Sequence, residues 1–330
     1  MFYKTIASAI LATAALALPS KAEQLRFSSF EPPVAFLTSQ VFPQWGKNVE
    51  DATGGEVTVK MFPGGTLGRS PAQQLKLVED GVADVAFIVA GYNPGVFPGL
   101  TVGELPFVVT SSKAGSEAMW SMFEQGLLEG DFDKFKIIGL FTTTPQNVVS
   151  KPKIIMPEDL KGRNFRASSP NLLVAIEDMG AVAVGGITGP TIAESISRGV
   201  IDGSFNDWNA IKTFRIGDTI EHVLEVPMGT SPLMVVMNKQ KYESLSAEAK
   251  AGIDKVSGAA FATMFGEAFD AYDATAKEEY VAEGKIEIHA ADQATMDAWK
   301  AASQPATDAW IAGGEGRQEL FDAYVAANSN

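Results

Sequence analysis

VEDGVADVAF (Val78–Phe87) and SISRGVIDGSF (Ser195–Phe205) are two versions of one element, 118 positions apart. In each, a helix-like run ends at a glycine, Gly81 or Gly199. The chain then turns through Val-x-Asp, with Asp84 or Asp202, into an apolar run. A glycine just past the last periodic residue is a helix stop, and the apolar run after it reads as a strand. Each unit also follows a Gly-rich loop, PGGTLGRSP (63–71) in one case and GGITGP (185–190) in the other. Two similarly built α/β units imply two lobes, and a two-lobed chain works in the cleft between them.

Outward from these units the same alternation continues. Gln24–Ser29 (QLRFSS) alternates as a first strand would. Thr38–Thr53 is a helix with Val41, Trp45 and Val49 on one stripe, and Val57–Phe62 (VTVKMF) is the next strand. Residues 71–80 form the helix of the first unit, Val82–Val89 its strand, and GYNPGVFPG (91–99) a loop punctuated by Gly and Pro. Strand and helix alternate again from Lys136 to Ile220, and strands separated by helices imply mostly parallel sheets covered on both faces. Ser231–Asn238 (SPLMVVMN) reads as a strand placed to cross between the lobes. From Ser246 to about Glu283 there is no proline, and Ile253, Val256, Ala260, Met264 and Ala268 recur at helical spacing. At about 1.5 Å per residue that is a helix on the order of 50 Å long, enough to lie across both lobes.

The amino end reads as a secretory signal. Lys4 supplies the positive region, Ile6–Leu18 is apolar, and Ser20-Lys21-Ala22 carries small residues at the −3 and −1 positions, so cleavage is expected after Ala22. Removing residues 1–22 takes away two lysines and no acid, which moves the net charge from −14 to −16 over 308 residues. Such acidity argues against nucleic acid or an anionic membrane as partner, since both reward a basic face. There is no cysteine, hence no disulfide and no thiolate metal cluster. A chain of this length exceeds what one core normally supports, in keeping with two lobes.

PEDLKGRNFRASSP (Pro157–Pro170) resembles the LKG-x-K-[IL]-R segment of the DctP-type solute-binding proteins of tripartite (TRAP) transporters. The resemblance extends to TGGEVTVKMFPGGTLG (Thr53–Gly68), EDGVADVAF, GYNPGVFPG followed by ELPF (Glu104–Phe107), and ESISRGVIDGSFN (Glu194–Asn206), in the family's order over about 200 residues. It implies an α/β, two-lobed, periplasmic-binding-protein-like fold with mostly parallel sheets and a long helix spanning both lobes. Residues 1–22 would be the signal peptide, 23–144 with 232–270 the first lobe, and 145–231 with 271–330 the second. The implied function is that of a monomeric periplasmic receptor that closes on a small organic acid and hands it to membrane permease subunits, without cofactor or catalysis.

Carried over residue by residue, the family's carboxylate-binding arginine falls on Arg166, and its ligand-bonding asparagine on Asn206. A planar guanidinium offers two parallel donors to a carboxylate, a match that lysine does not reproduce. Trp208 follows at the carboxyl end of a strand, where open α/β sheets bind ligands. Arg69 after the Gly-rich loop, Tyr92 and Ile88 around the first-unit strand, Phe30 and Glu31 at the end of the first strand, and Gln146 complete the candidate ligand-binding set.

The chain also departs from particular branches. Gln146 stands where the sialic-acid binders place a second arginine, and Val89 where they have an acidic sugar contact. Phe205-Asn206 replaces the Glu-Trp pair of the branch that binds 2-oxo acids with a metal, so no metal is expected. These departures favour an aromatic or apolar monocarboxylate, with uronates and aldonates as the second choice. An ABC-type binding protein is the alternative within the class. Among enzymes, PGGTLGRS misses both essential Walker A positions, and two histidines, His222 and His289, leave no triad and no HExxH. A secreted hydrolase using a carboxylate pair is the alternative from another class.

Overall fold

In the computed structural model, which describes residues 22–328, the duplicated turn is built twice from the same hydrogen bonds. After the helix Gln74–Glu79, Gly81 takes φ +67° and Val82 N–H donates to Leu77 O at 2.9 Å. After the helix Ile192–Ser197, Gly199 takes φ +70° and Val200 N–H donates to Ser195 O at 2.9 Å. A Cβ on either glycine would have no atom within 4 Å, so the left-handed backbone alone selects glycine there. The aspartates complete the unit. Asp84 N–H donates to Arg26 O at 3.0 Å while its carboxylate accepts Arg26 N–H at 2.8 Å. Asp202 repeats the exchange on Asn164, at 2.7 and 2.9 Å. Each aspartate thus pins its strand to a parallel neighbour. The expected signal segment, 1–22, lies outside the described residues apart from Ala22.

The strands form two sheets. In the first, β2 (Val57–Phe62), β1 (Glu23–Ser28), β3 (Val85–Val89), β10 (Pro232–Asn238) and β4 (Phe135–Thr142) lie side by side in that order. In the second the order is β11 (Glu287–Ala290), β9 (His222–Glu225), β5 (Asn147–Ser150), β8 (Gly203–Asn206), β6 (Asn164–Arg166) and β7 (Val182–Val184). Strands fed by helices run parallel, as expected of them. The exceptions are β10 and β5, which are antiparallel to both neighbours. Both are entered directly from the other sheet, so the chain reaches them from the opposite end. The SPLMVVMN strand therefore does not itself cross: it is β10 of the first sheet, and the crossing is made by 226–231 before it.

The two crossings, 143–146 and 226–231, run side by side and are bonded to each other. Gln146 N–H donates to Gly229 O at 2.8 Å and Met228 N–H to Gln146 O at 2.9 Å. The third link is the helix Ala259–Glu283. Phe261, Phe265 and Phe269 bury its first half in the core of the first sheet, and Ala276 buries its second half in that of the other. It lies across both lobes as expected, but starts later: Val256 and Gly258, at φ +63°, separate it from the helix Ala247–Lys255. Its 25 residues span about 37 Å. The buried stripe is also one position on from the Ala260–Met264–Ala268 series, because the phenylalanines and not the small residues face the sheet.

The carboxyl end departs from the expected division. Trp299, in the helix Gln293–Ala312, packs in the second lobe, but Trp310, Leu320 and Tyr324 pack in the first with Ile88 and Met234. The helix Arg317–Asn328 therefore returns to the first lobe, held by Tyr324 Oη donating to Gly115 O at 3.2 Å. No helix among the described residues is long and apolar enough to cross a membrane.

Candidate functional site

A narrow cleft lies between the two sheets. Phe30, Glu31, Phe87, Val89 and Tyr92 line it from the first lobe, and Arg166, Ser168, Gly189, Asn206 and Asp207 from the second. Phe269 of the long helix and Phe214 add further rings.

Arg166 ends β6, where Phe165 faces the core and the next residue must face the other way. It is 1% exposed. Its Nε donates to Ile187 O at 2.9 Å, which fixes the plane of the guanidinium, while Nη2 is buried without a hydrogen-bond partner. Burial lowers its pKa, and the Tyr92 hydroxyl beside it works in the opposite direction. An arginine stays protonated through such a shift. Among the described residues no protein carboxylate forms an ion pair with it, so a buried cation with an unused donor faces the cleft.

Asn206 ends β8 and is 5% exposed. Its Oδ1 accepts the hydroxyl of Ser204, the cross-strand neighbour of Arg166. The amide nitrogen is left to donate. Tyr92 Oη accepts Gly189 N–H at 2.8 Å and so bridges the lobes at the rim.

Two carboxyl groups share the cavity. Burial pushes Glu31 up to about 8, against a hydrogen bond from Thr38 Oγ1 at 3.2 Å and helped by the charge of Asp207. Asp207 caps the helix Trp208–Thr213, accepting Ala210 N–H at 2.8 Å; burial and then Asp273 raise its pKa. Asp273, also raised by burial, accepts Asn209 N–H at 2.7 Å and the Thr144 hydroxyl at 2.8 Å. Held neutral by burial, Glu31 does not cancel the charge of Arg166 at pH 7. The cavity suits an anion with an apolar body.

Of the residues anticipated from sequence, Arg166, Asn206, Tyr92, Phe30 and Glu31 meet here. Ile88 does not: Phe87 and Val89 face the cleft side of β3, and side-chain alternation sends Ile88, 0% exposed, into the core behind. Trp208 is core too, 3% exposed with its ring 5.9 Å from Tyr280, because Asp207 starts a helix and ends the alternation that would have placed it beside Asn206. Arg69 is exposed and outside the lining. Gln146 sits in the crossing, where its Nε2 donates to Ser231 Oγ at 2.7 Å; it supports a lining residue without lining the cleft. Phe87, Phe214, Phe269 and Asp207 were not anticipated. Strand parity within VADVAF points to Phe87, and the Asp-Trp-Asn-Ala cap signature points to Asp207.

The amino-acid sequence matches the DctP family, bacterial extracellular solute-binding proteins of family 7, over residues 27–313. A marine metagenome TRAP solute binding protein specific for aromatic acid ligands, crystallised with 3-hydroxybenzoate, superposes with a TM-score of 0.87 at 30% identity, covering 94% of this chain and 99% of that one. A TRAP solute binding protein from Rhodoferax ferrireducens T118, holding copurified benzoate, gives a TM-score of 0.86 at 27% identity, with 93% and 97% covered. The Comamonas testosteroni protein TsaT, named an outer membrane transporter protein, is 25% identical over 97% of this chain and 96% of its own length. With the matched segment spanning both lobes and the cleft between them, the chain belongs to the DctP family of TRAP-transporter solute-binding proteins.

Proposed function

We propose that this protein is the periplasmic receptor of a TRAP transporter for a one-ring aromatic monocarboxylate, captured by closure of the lobes and released unchanged to the membrane permease. The observation that carries the ligand class is the buried Arg166, with an unpartnered Nη2, in a cavity walled by Phe30, Phe87, Tyr92, Phe214 and Phe269. In this reading Arg166 and the amide nitrogen of Asn206 take the carboxylate. The rings hold the body by offset stacking and area burial, and Glu31 and Asp207 meet a ring hydroxyl where there is one. The two relatives that hold benzoate and 3-hydroxybenzoate support the same choice. Export with cleavage after Ala22, action as a monomer, and the absence of catalysis and of nucleic-acid binding belong to this proposal. So does a lobe division at 144/145, 231/232 and 270/271, with the last helix returned to the first lobe.

A thermal-shift screen followed by calorimetry tests it. Benzoate, 3-hydroxybenzoate and mandelate should each stabilise the protein, by about 2.7 kcal/mol at 100 times the dissociation constant. Succinate and galacturonate should give little. Stabilisation by a uronate with no response to benzoates would move the ligand to the sugar acids. A substrate altered on incubation would restore the hydrolase alternative.

A further inference from the structure

We propose that His222, Glu287 and His289 form a binding site for one tetrahedrally coordinated divalent transition ion, zinc by its chemistry, on the second lobe and apart from the cleft. These are both of the chain's histidines, 67 positions apart in sequence. The parallel pairing of β11 with β9 places Glu287 opposite His222 and His289 opposite Leu224. Cross-strand partners share a face of the sheet, as do residues two apart on one strand, so all three side chains project from the same face.

The donor atoms form a nearly regular triangle. His222 Nδ1 lies 3.3 Å from His289 Nε2 and 3.5 Å from Glu287 Oε2, and the last two are 3.7 Å apart. Zinc takes nitrogen and oxygen ligands at about 2.0–2.2 Å, and a tetrahedral angle then separates neighbouring donors by about 3.3–3.6 Å. An octahedral ion at similar bond lengths requires about 2.9 Å between neighbours, tighter than any edge observed here. Two imidazoles and one carboxylate favour zinc over magnesium or calcium, which take oxygen. The rings are mostly covered, 14% and 19% exposed, whereas Glu287 is 67% exposed, which leaves the fourth position facing solvent. Each histidine would bind through the lone pair of its neutral imidazole, and the carboxylate of Glu287 would supply the negative charge. Lys153 is the opposing charge: its ammonium repels a cation at the same place.

The position gives the ion a structural role. β11 is an edge strand that follows the long interlobe helix, and β9 leads into the crossing 226–231. An ion bound across the pair would fasten both routes into the second sheet. None of its ligands lines the cleft, so the site stands or falls independently of the acid-binding reading.

The test uses tag-free mature protein stripped with a chelator and titrated with zinc alone. One ion per chain is expected. His222→Ala and His289→Ala should each weaken it by at least about 100-fold, as loss of even an outer partner of a zinc ligand costs about 10- to 100-fold. Lys153→Ala, which leaves every ligand in place, should bind more tightly. Zinc should raise the melting temperature of the wild type and leave that of His289→Ala unchanged. Cobalt on the wild-type protein should give the intense visible bands of tetrahedral coordination, a readout that does not depend on any variant folding. No zinc uptake, equal affinity in the His222→Ala/His289→Ala double variant, or the weak bands of six-coordinate cobalt would overturn the proposal.

Discussion

Tyr92 and Gly189 join the two lobes: the tyrosine hydroxyl accepts the Gly189 N–H at 2.8 Å at the rim of the cleft they both line. Beside them a Cβ on Gly91 would lie 2.7 Å from Ser168 O, so the lobes touch backbone to backbone. This is a closed arrangement. An open form exchanges the Tyr92 bond for water, so its net contribution to closure is that of one neutral hydrogen bond, about 0.5–1.5 kcal/mol. Tyr92→Phe should therefore weaken acid binding by about 2- to 12-fold. Gly91→Ala should do so more strongly while leaving the isolated lobes intact. Calorimetry gives the affinities, and small-angle scattering should show a larger radius of gyration for both variants at a ligand concentration that closes the wild type. Wild-type affinity in both would mean that this contact does not hold the lobes together.

Arg166 should be the most costly side chain to remove. Truncation to alanine takes away the cation that the carboxylate meets in a dry site, a loss of about 2–5 kcal/mol, or roughly one and a half to three and a half decades in affinity. Arg166→Lys should also be impaired, because a point charge replaces a planar fork whose Nε is already held by Ile187 O at 2.9 Å. Either variant binding benzoate within threefold of wild type would remove Arg166 from the site.

The rings divide into wall and core, and substitution should separate them. Phe269 lines the cleft and stacks on Phe265 at 5.3 Å, whereas Trp208 packs among Ile192, Ile196 and Ile211. Phe269→Leu should weaken aromatic acids more than aliphatic ones, by about 0.5–1.5 kcal/mol beyond lost area. Trp208→Ala should cost about 3–5 kcal/mol of folding stability and treat all acids alike. A selective loss of aromatic binding in Trp208→Ala, compared at equal folded fraction, would reverse the assignment.

The architecture was legible because it is written in local rules. Gly81 and Gly199 need a backbone angle that other residues resist, and Asp84 and Asp202 pin neighbouring strands, so the same letters recur wherever the unit is built. Arg166 and Asn206 were reached only through the family resemblance of the segments around them, and each ends a strand at the cleft. What failed was direction. Ile88 and Phe87 differ by one position on β3, and an error of one flips a side chain to the opposite face. Trp208 failed because the capping Asp207 changes the period from two to 3.6 at that residue. The return of Leu320 and Tyr324 to the first lobe has no local signature: an amphipathic helix states that it will be covered, not by what.

The buried acids should make both folding and binding depend on pH in one direction. Glu31 titrates at about 8 in the folded chain, above its ordinary value of 4.5, because burial disfavours the charged form. Between those values the folded state keeps a proton that the unfolded state has lost. Its stabilisation is therefore full below about 4 and declines as pH rises to about 8. Asp207 and Asp273 are raised in the same direction, by burial and, for Asp207, by the pair's own repulsion. A bound carboxylate adds negative charge to the same cavity and raises these groups further, so the complex should take up protons. The affinity for benzoate should hold between pH 6 and 7 and fall above pH 8 by up to about tenfold per unit for one linked proton. Calorimetry at pH 8 in two buffers of different ionisation enthalpy measures that uptake directly. Glu31→Gln, which keeps the shape and removes the titration, should flatten the profile and reduce the uptake. Proton release on binding, or an affinity that rises from pH 7 to 9, would show that these carboxyl groups do not face the bound acid.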